Sequence, residues 1–71
     1  MAEIRSAMAG VVMQVLVSPG DRVDAGQDVV ILESMKMQIP VSAEEAGTVS
    51  RVAVQEGQFV DEGELLVEMD G

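Results

Sequence analysis

The chain has 71 residues, 48% of them hydrophobic, and its thirteen acidic and four basic side chains give a formal net charge of −9. This length suits one domain, spanning residues 1–71, and is too short for two. The negative charge argues against a nucleic-acid partner and against an anionic membrane surface. Cysteine and histidine are both absent, so we expect no disulfide, no metal site, no catalytic residues and no autonomous enzyme activity.

The first residues of the chain, MAEIR, have neither the basic and apolar regions of a signal peptide nor the arginine-rich character of a transit peptide. No apolar run approaches the roughly 20 residues of a membrane-spanning helix. The absence of cysteine fits a reducing compartment. These features together predict a cytoplasmic protein, which we expect to be monomeric in isolation.

The first half of the chain alternates valine-rich runs with glycine turns. In chain order its predicted elements are a strand at 11–17, a turn at Pro19-Gly20, a short piece at Val23, a turn at Ala25-Gly26 and a strand at 29–34. Valine and isoleucine favour strands, while glycine supplies the positive φ that tight turns need. No long amphipathic helix is indicated.

The second half repeats this pattern. Residues 46–69 align with residues 9–32 without a gap and agree at ten of twenty-four positions, mostly glycines and valines. Two copies are too few for a stacked solenoid, so the repeat predicts two half-domains related by an approximate two-fold axis. We therefore predict an all-β fold of about eight strands, four per half, in a sandwich or flattened barrel.

The segment 33–37, with sequence ESMKM, lies between the two half-repeats. If a strand precedes it and another follows, Met35 and Lys36 sit near the tip of a hairpin. The residue types at this tip do not themselves predict a turn, because Met and Lys are unfavourable where φ is positive. Such a conflict between local preference and fold often marks a functional site. Lys36 is also the only lysine of the chain.

The ESMKM segment resembles the attachment signature of biotin carboxyl carrier domains, and the glycine patterns at 19–27 and 57–63 are similar to those of the same family. The resemblance covers nearly the whole chain. It implies a flattened β-barrel of two four-stranded antiparallel sheets with the modified lysine at an exposed hairpin tip. Because the two halves align without a gap, we expect no thumb-like insertion of the kind some members have.

By this resemblance, a biotin protein ligase attaches biotin covalently to Lys36. The protein would then carry carboxybiotin between the biotin carboxylase and carboxyltransferase sites of a biotin-dependent carboxylase. Met35 and Met37 match the motif methionines, and the ligase would recognise them. Glu33 and Ser34 are further candidates for ligase recognition. The sequence places no second cation near Lys36 to activate it, so we expect an external enzyme to deprotonate the amine.

Two alternatives remain open from the sequence. A lipoyl carrier of a 2-oxo acid dehydrogenase or of the glycine cleavage system shares the fold and would carry lipoate on the equivalent lysine, although such domains typically show Asp-Lys-Ala there instead of Met-Lys-Met. An unmodified structural or adaptor barrel is the other alternative. It would leave the sole lysine and its flanking methionines unexplained.

Overall fold

The computed structural model describes residues 2–70, and within them the regular structure is entirely β. Glycine turns separate most of the strands, as the valine and glycine pattern predicts. The eight strands are β1 (Ala2–Arg5), β2 (Gly10–Val15), β3 (Arg22–Val23), β4 (Asp28–Ser34), β5 (Met37–Ser42), β6 (Gly47–Val52), β7 (Phe59–Val60) and β8 (Leu65–Asp70).

The strands form two four-stranded antiparallel sheets that pack face to face. The hairpin sheet has the order β5-β4-β2-β7 and contains the hairpin of β4 and β5, while the second sheet has the order β1-β8-β6-β3. Each sheet takes two strands from each half of the chain. The predicted all-β flattened barrel is therefore confirmed, and the halves are interleaved rather than stacked as separate units.

Hydrogen bonds in the turns confirm the approximate two-fold relation. The Gly57 N–H donates to the Val12 carbonyl at 2.7 Å, and the Gly20 N–H donates to the Val49 carbonyl at the same distance. Because residue 46 aligns with residue 9, equivalent positions differ by 37, and these two bonds are equivalent under that shift. The turn of each half is thus bonded to a strand of the other half, which locks the halves together.

The core lies between the two sheets and contains almost only aliphatic side chains. Fourteen hydrophobic residues are buried, and Ser6 is the buried polar residue among those described. Burial of this apolar surface is the main stabilising contribution available to a chain without disulfides. The largest fully buried side chains are Leu32, Leu66, Met69, Val12, Val23, Val29, Val30, Val49, Val60 and Val67.

Several details refine the sequence prediction. The strand predicted at 11–17 and its copy in the second half, at 48–54, end two residues earlier, at Val15 and Val52. Pro40 lies within β5, which is an edge strand, as expected for a residue that cannot donate to a β ladder. No helix in the described part of the chain is long and apolar enough to span a bilayer.

Candidate functional site

The hairpin of β4 and β5 carries the candidate site at its tip. Ser34 and Met37 are the last register partners of the two strands, which leaves Met35 and Lys36 as a two-residue loop. Both loop residues have positive φ, 53° at Met35 and 65° at Lys36. Positive φ at both central residues is what a type I′ turn requires, and its twist matches that of the flanking strands. The predicted location of the tip is therefore correct.

The residue types at this turn are unfavourable for its backbone. Type I′ loops prefer Asn-Gly or Asp-Gly, because a side chain other than Asn, Asp or Gly crowds the backbone when φ is positive. The left-handed conformation costs about 1–2 kcal/mol per ordinary residue. Met35 and Lys36 are the only described residues other than glycine with positive φ. The surrounding ladder of six register pairs between β4 and β5 holds the turn in this conformation.

The side chains of the motif are exposed to different degrees. Met35 is 91% exposed and Met37 is 62% exposed, and Lys36 is exposed as well. Glu33 is exposed on the outer face of the hairpin sheet, and Ser34 is half-buried. The structure thus places all five residues of the motif at one short hairpin end. One flexible methionine side chain lies on each side of the Lys36 amine in the sequence.

Among residues 2–70, the side-chain amine of Lys36 has no polar partner. Within residues 2–70, its side chain forms no ion pair or hydrogen bond, and the ion pairs present are Arg5–Glu3 at 2.8 Å and Arg51–Glu68 at 2.7 Å. The structure does not bring Glu44 and Glu45 to the tip. They follow the opposite end of β5, about 20 Å away for a strand of this length. The amine is therefore accessible to an external enzyme, and no carboxylate of the described residues positions it.

Gly10 lies beside β4 just before the hairpin tip, and its role there is not one that the sequence singles out. A Cβ atom at Gly10 would lie 2.7 Å from the carbonyl oxygen of Glu33, closer than real Cβ contacts allow. The strand β2 can therefore approach β4 only because residue 10 has no side chain. The signal was present in the repeat, since its equivalent Gly47 approaches the Asp70 carbonyl oxygen in the same way, at 2.8 Å.

A groove of about 540 Å³ lies away from the tip, along the edge strands β1 and β5 of the two sheets. Its lining includes Ile4, Ile39 and Val41 together with Glu44 and Glu45, and Lys36 is not part of it. Residues 2–70 also contain no group of three or more acidic side chains placed to hold a metal ion. The tip itself presents one exposed primary amine, that of Lys36.

Comparison with known proteins identifies relatives across nearly the whole chain. A family model described as "Biotin-requiring enzyme", of the biotin/lipoyl family, matches residues 2–69. A biotin/lipoyl attachment protein of Bacillus subtilis is 50% identical over 62 residues, which cover 87% of this chain and 85% of that protein.

Larger proteins contain a similar region. The mitochondrial propionyl-CoA carboxylase alpha chain of Homo sapiens is 49% identical over 67 residues, which cover 94% of this chain but 9% of that one. The crystal structure of Kluyveromyces lactis urea carboxylase superimposes with a TM-score of 0.91 at 29% identity, covering 97% of this chain and 6% of that one. The family model matches residues 2–69, and the fold and the exposed hairpin tip agree with that match. The chain therefore belongs to the biotin/lipoyl attachment family.

Proposed function

We propose that this protein is a biotin carboxyl carrier and that Lys36 is its covalent attachment site. The observation that carries the proposal is the position of the sole lysine, exposed in a two-residue turn at the end of a rigid hairpin. Membership of the biotin/lipoyl family supports biotin as the attached group. An exposed primary amine fits attachment through an amide, and the site needs no pocket of its own.

The attachment reaction uses the amine of Lys36 as its nucleophile. The unprotonated Nζ attacks the acyl carbon of biotinyl-adenylate, the C–N bond of the amide forms, and AMP leaves with the electron pair of the acyl–oxygen bond. The proton lost from Nζ passes to a base of the ligase, since no acidic side chain of this chain contacts Lys36 within residues 2–70. A biotin protein ligase is therefore the first partner that the proposal requires.

Met35 and Met37 are proposed to contact that ligase. Large apolar side chains that are 91% and 62% exposed contribute little to the stability of the free protein. Methionine is flexible and polarizable, which suits a surface that must fit several partner sites. Glu33 and Ser34 are proposed as weaker contributors, because Glu33 faces outward beside the tip while Ser34 is half-buried.

The catalytic steps are assigned to partner enzymes. The chain lacks histidine and cysteine, and a carrier needs only to present its group, so we propose a non-catalytic role. When attached, biotin would supply a ring nitrogen that accepts and releases a carboxyl group. The carboxylase relatives support biotin carboxylase and carboxyltransferase domains as the partners. A cytoplasmic location and a monomeric state stay predictions.

A lipoyl carrier is the second candidate, because one relative that is 50% identical is named for both groups. The two groups would occupy the same amine and use the same exposed hairpin. The methionines on both sides of Lys36 favour biotin, because lipoyl domains typically have Asp-Lys-Ala at this place. An unmodified adaptor is the third candidate, and it gives the accessible amine no role.

The test is the intact mass of the folded protein after incubation with ATP, biotin and a biotin protein ligase. We expect the mass of one biotinyl group to be added to the wild type and none to Lys36→Arg. A parallel reaction with lipoate and a lipoate ligase distinguishes the second candidate. Addition of lipoate alone would replace the biotin proposal, and addition of neither group to folded protein would favour the adaptor.

A further inference from the structure

The outer faces of the two sheets differ in polarity although the fold relates them by an approximate two-fold axis. On the hairpin sheet, a row of register partners crosses all four strands from β5 to β7. The row consists of Gln38, Glu33, Val11 and Phe59, in that order. All four are exposed, and the apolar pair of Val11 and Phe59 is exposed by 38% and 58%.

Three of the four positions in this row have an equivalent within residues 2–70, and those equivalents are polar. Shifting Glu33, Val11 and Phe59 by 37 positions gives Asp70, Thr48 and Arg22, and these residues are also register partners across β8, β6 and β3. The backbone pairing is therefore the same in both rows. Phe59, the only aromatic residue of the chain, corresponds to an arginine, and Val11 corresponds to a threonine.

Neighbouring positions show the same asymmetry. On the hairpin sheet, Met13 is 37% exposed and Ile31 is half-buried. Their equivalents on the second sheet are Ser50 and Glu68, and the Ser50 hydroxyl donates to the Glu68 carbonyl oxygen at 3.1 Å. The Glu68 carboxylate also pairs with Arg51 at 2.7 Å. We call the set of Val11, Met13, Ile31 and Phe59 the apolar face.

The fold does not require this apolar face. The second sheet shows that Thr, Ser, Glu and Arg support the same register at the same positions. Clusters of exposed apolar side chains that packing does not need often mark interaction sites. The apolar face belongs to the sheet that presents Lys36, and it is absent from the sheet that does not.

The apolar face is continuous with the tip. Glu33 belongs both to the attachment hairpin and to the row, as the register partner of Val11. Phe59 lies two strands from Glu33, about 10 Å across the sheet. A protein that encloses Lys36 must cover the end of the hairpin, and a surface of ordinary interface size extends well beyond one turn.

We propose that the apolar face is the docking surface for the biotin protein ligase that acylates Lys36, an inference that rests on the proposed function. The ligase must select one lysine on one folded domain, so contacts outside the turn would supply its specificity. Two carboxylates lie near the face. Glu33 belongs to the row, and the Glu56 side chain accepts a hydrogen bond from the Val15 N–H at 3.2 Å, two residues after Met13 on β2. The complementary ligase surface is therefore apolar with basic residues at its rim.

The test compares steady-state biotinylation of variants, followed by intact mass. The double variant Val11→Thr/Phe59→Gln makes the apolar face polar, with the threonine that the equivalent position already holds. Its matched control is Leu16→Gln, because Leu16 is 45% exposed and lies just beyond the end of β2 that is distant from the tip. We expect the KM for the carrier to rise about tenfold in the double variant with little change in kcat, the size typical of losing a moderate interface contact. The control should behave as the wild type.

The outcomes separate the two proposals. An unchanged KM in a folded double variant, or an equal rise in Leu16→Gln, overturns the docking surface while biotinylation of the wild type still supports the carrier function. Absence of biotinylation in the wild type overturns the carrier function itself. Thermal unfolding of each variant shows that it is folded, and the two single variants replace the double variant if it is not.

Discussion

Gly10→Ala separates the stability of the barrel from the presentation of Lys36. The new Cβ would lie 2.7 Å from the Glu33 carbonyl oxygen and 3.4 Å from the Glu33 carbonyl carbon, whereas real Cβ atoms essentially never approach within 3.0 Å. Both neighbouring atoms belong to the backbone of β4, so no flexible side chain can move aside. β2 and β4 must therefore move apart by a few tenths of an ångström at a point two residues before Met35, and we expect the tip to move with β4.

Gly47→Ala is the control that the repeat provides. Its Cβ would lie 2.8 Å from the Asp70 carbonyl oxygen and 3.0 Å from Met69 Cε, so the second sheet suffers a similar clash away from the tip. Overpacking of this kind costs about 1–3 kcal/mol. For a domain of this size, that cost lowers the thermal midpoint by roughly 4–8 °C per kcal/mol. We expect both variants to lose similar stability.

The two variants should differ in biotinylation. Misplacing a reacting group by about 1 Å can lower a rate by about a hundredfold, so a shift of a few tenths of an ångström should lower the kcat/KM of Gly10→Ala severalfold. Gly47→Ala should remain close to the wild type at a temperature where both are folded. The assay is ligase kinetics by intact mass beside thermal unfolding by circular dichroism. Equal kcat/KM values for the two variants would refute the argument that Gly10 positions the tip.

Three further predictions follow from burial and backbone geometry. Met35→Asn should raise the free energy of unfolding by about 0.5–1 kcal/mol, since Asn tolerates positive φ. The same variant should slow biotinylation. A variant that is both less stable and equally reactive would contradict this prediction. Leu32→Ala should lower the free energy of unfolding, measured in urea, by about 2–5 kcal/mol, because Leu32 is fully buried. A loss below about 1 kcal/mol would contradict the burial of Leu32 in the core. Arg51→Ala should change the free energy of unfolding by less than about 1 kcal/mol, because its ion pair with Glu68 is largely exposed on the arginine side. A larger loss in the same urea titration would show that the ion pair contributes to stability.

The sequence predicted the strands well because the repeat fixed their positions twice. A valine run followed by a glycine turn occurs at equivalent places in both halves, so each prediction had an independent copy to support it. The bounds were less accurate, because residues 16 and 17 continue the apolar pattern beyond the last ladder pair at Val15. Hydrophobic pattern reports burial, while the ladder ends where hydrogen bonding to the partner strand ends.

The interleaving of the halves was not predictable from the pattern. Alternation assigns a residue to a face, but it does not say which strand of the other half lies beside it. The tip was placed correctly because the repeat required a hairpin there, although Met35 and Lys36 are poor turn formers. The sequence pattern also does not predict that Phe59 is exposed. A single aromatic residue beside the buried Val60 resembles a core residue in sequence.

The internal repeat also separates residues that serve the fold from residues that serve function. Gly10 and Gly47 are identical and make the same close approach in both halves, so the barrel itself requires them. Val11 and Thr48 occupy equivalent places in equivalent ladders and differ in polarity, so the barrel requires neither. A position whose two copies differ on the solvent face is free of packing constraints, and what it holds reflects what that sheet contacts. Because the apolar copies lie on the sheet that presents Lys36, the asymmetry of a nearly symmetric fold indicates the side on which its partner binds.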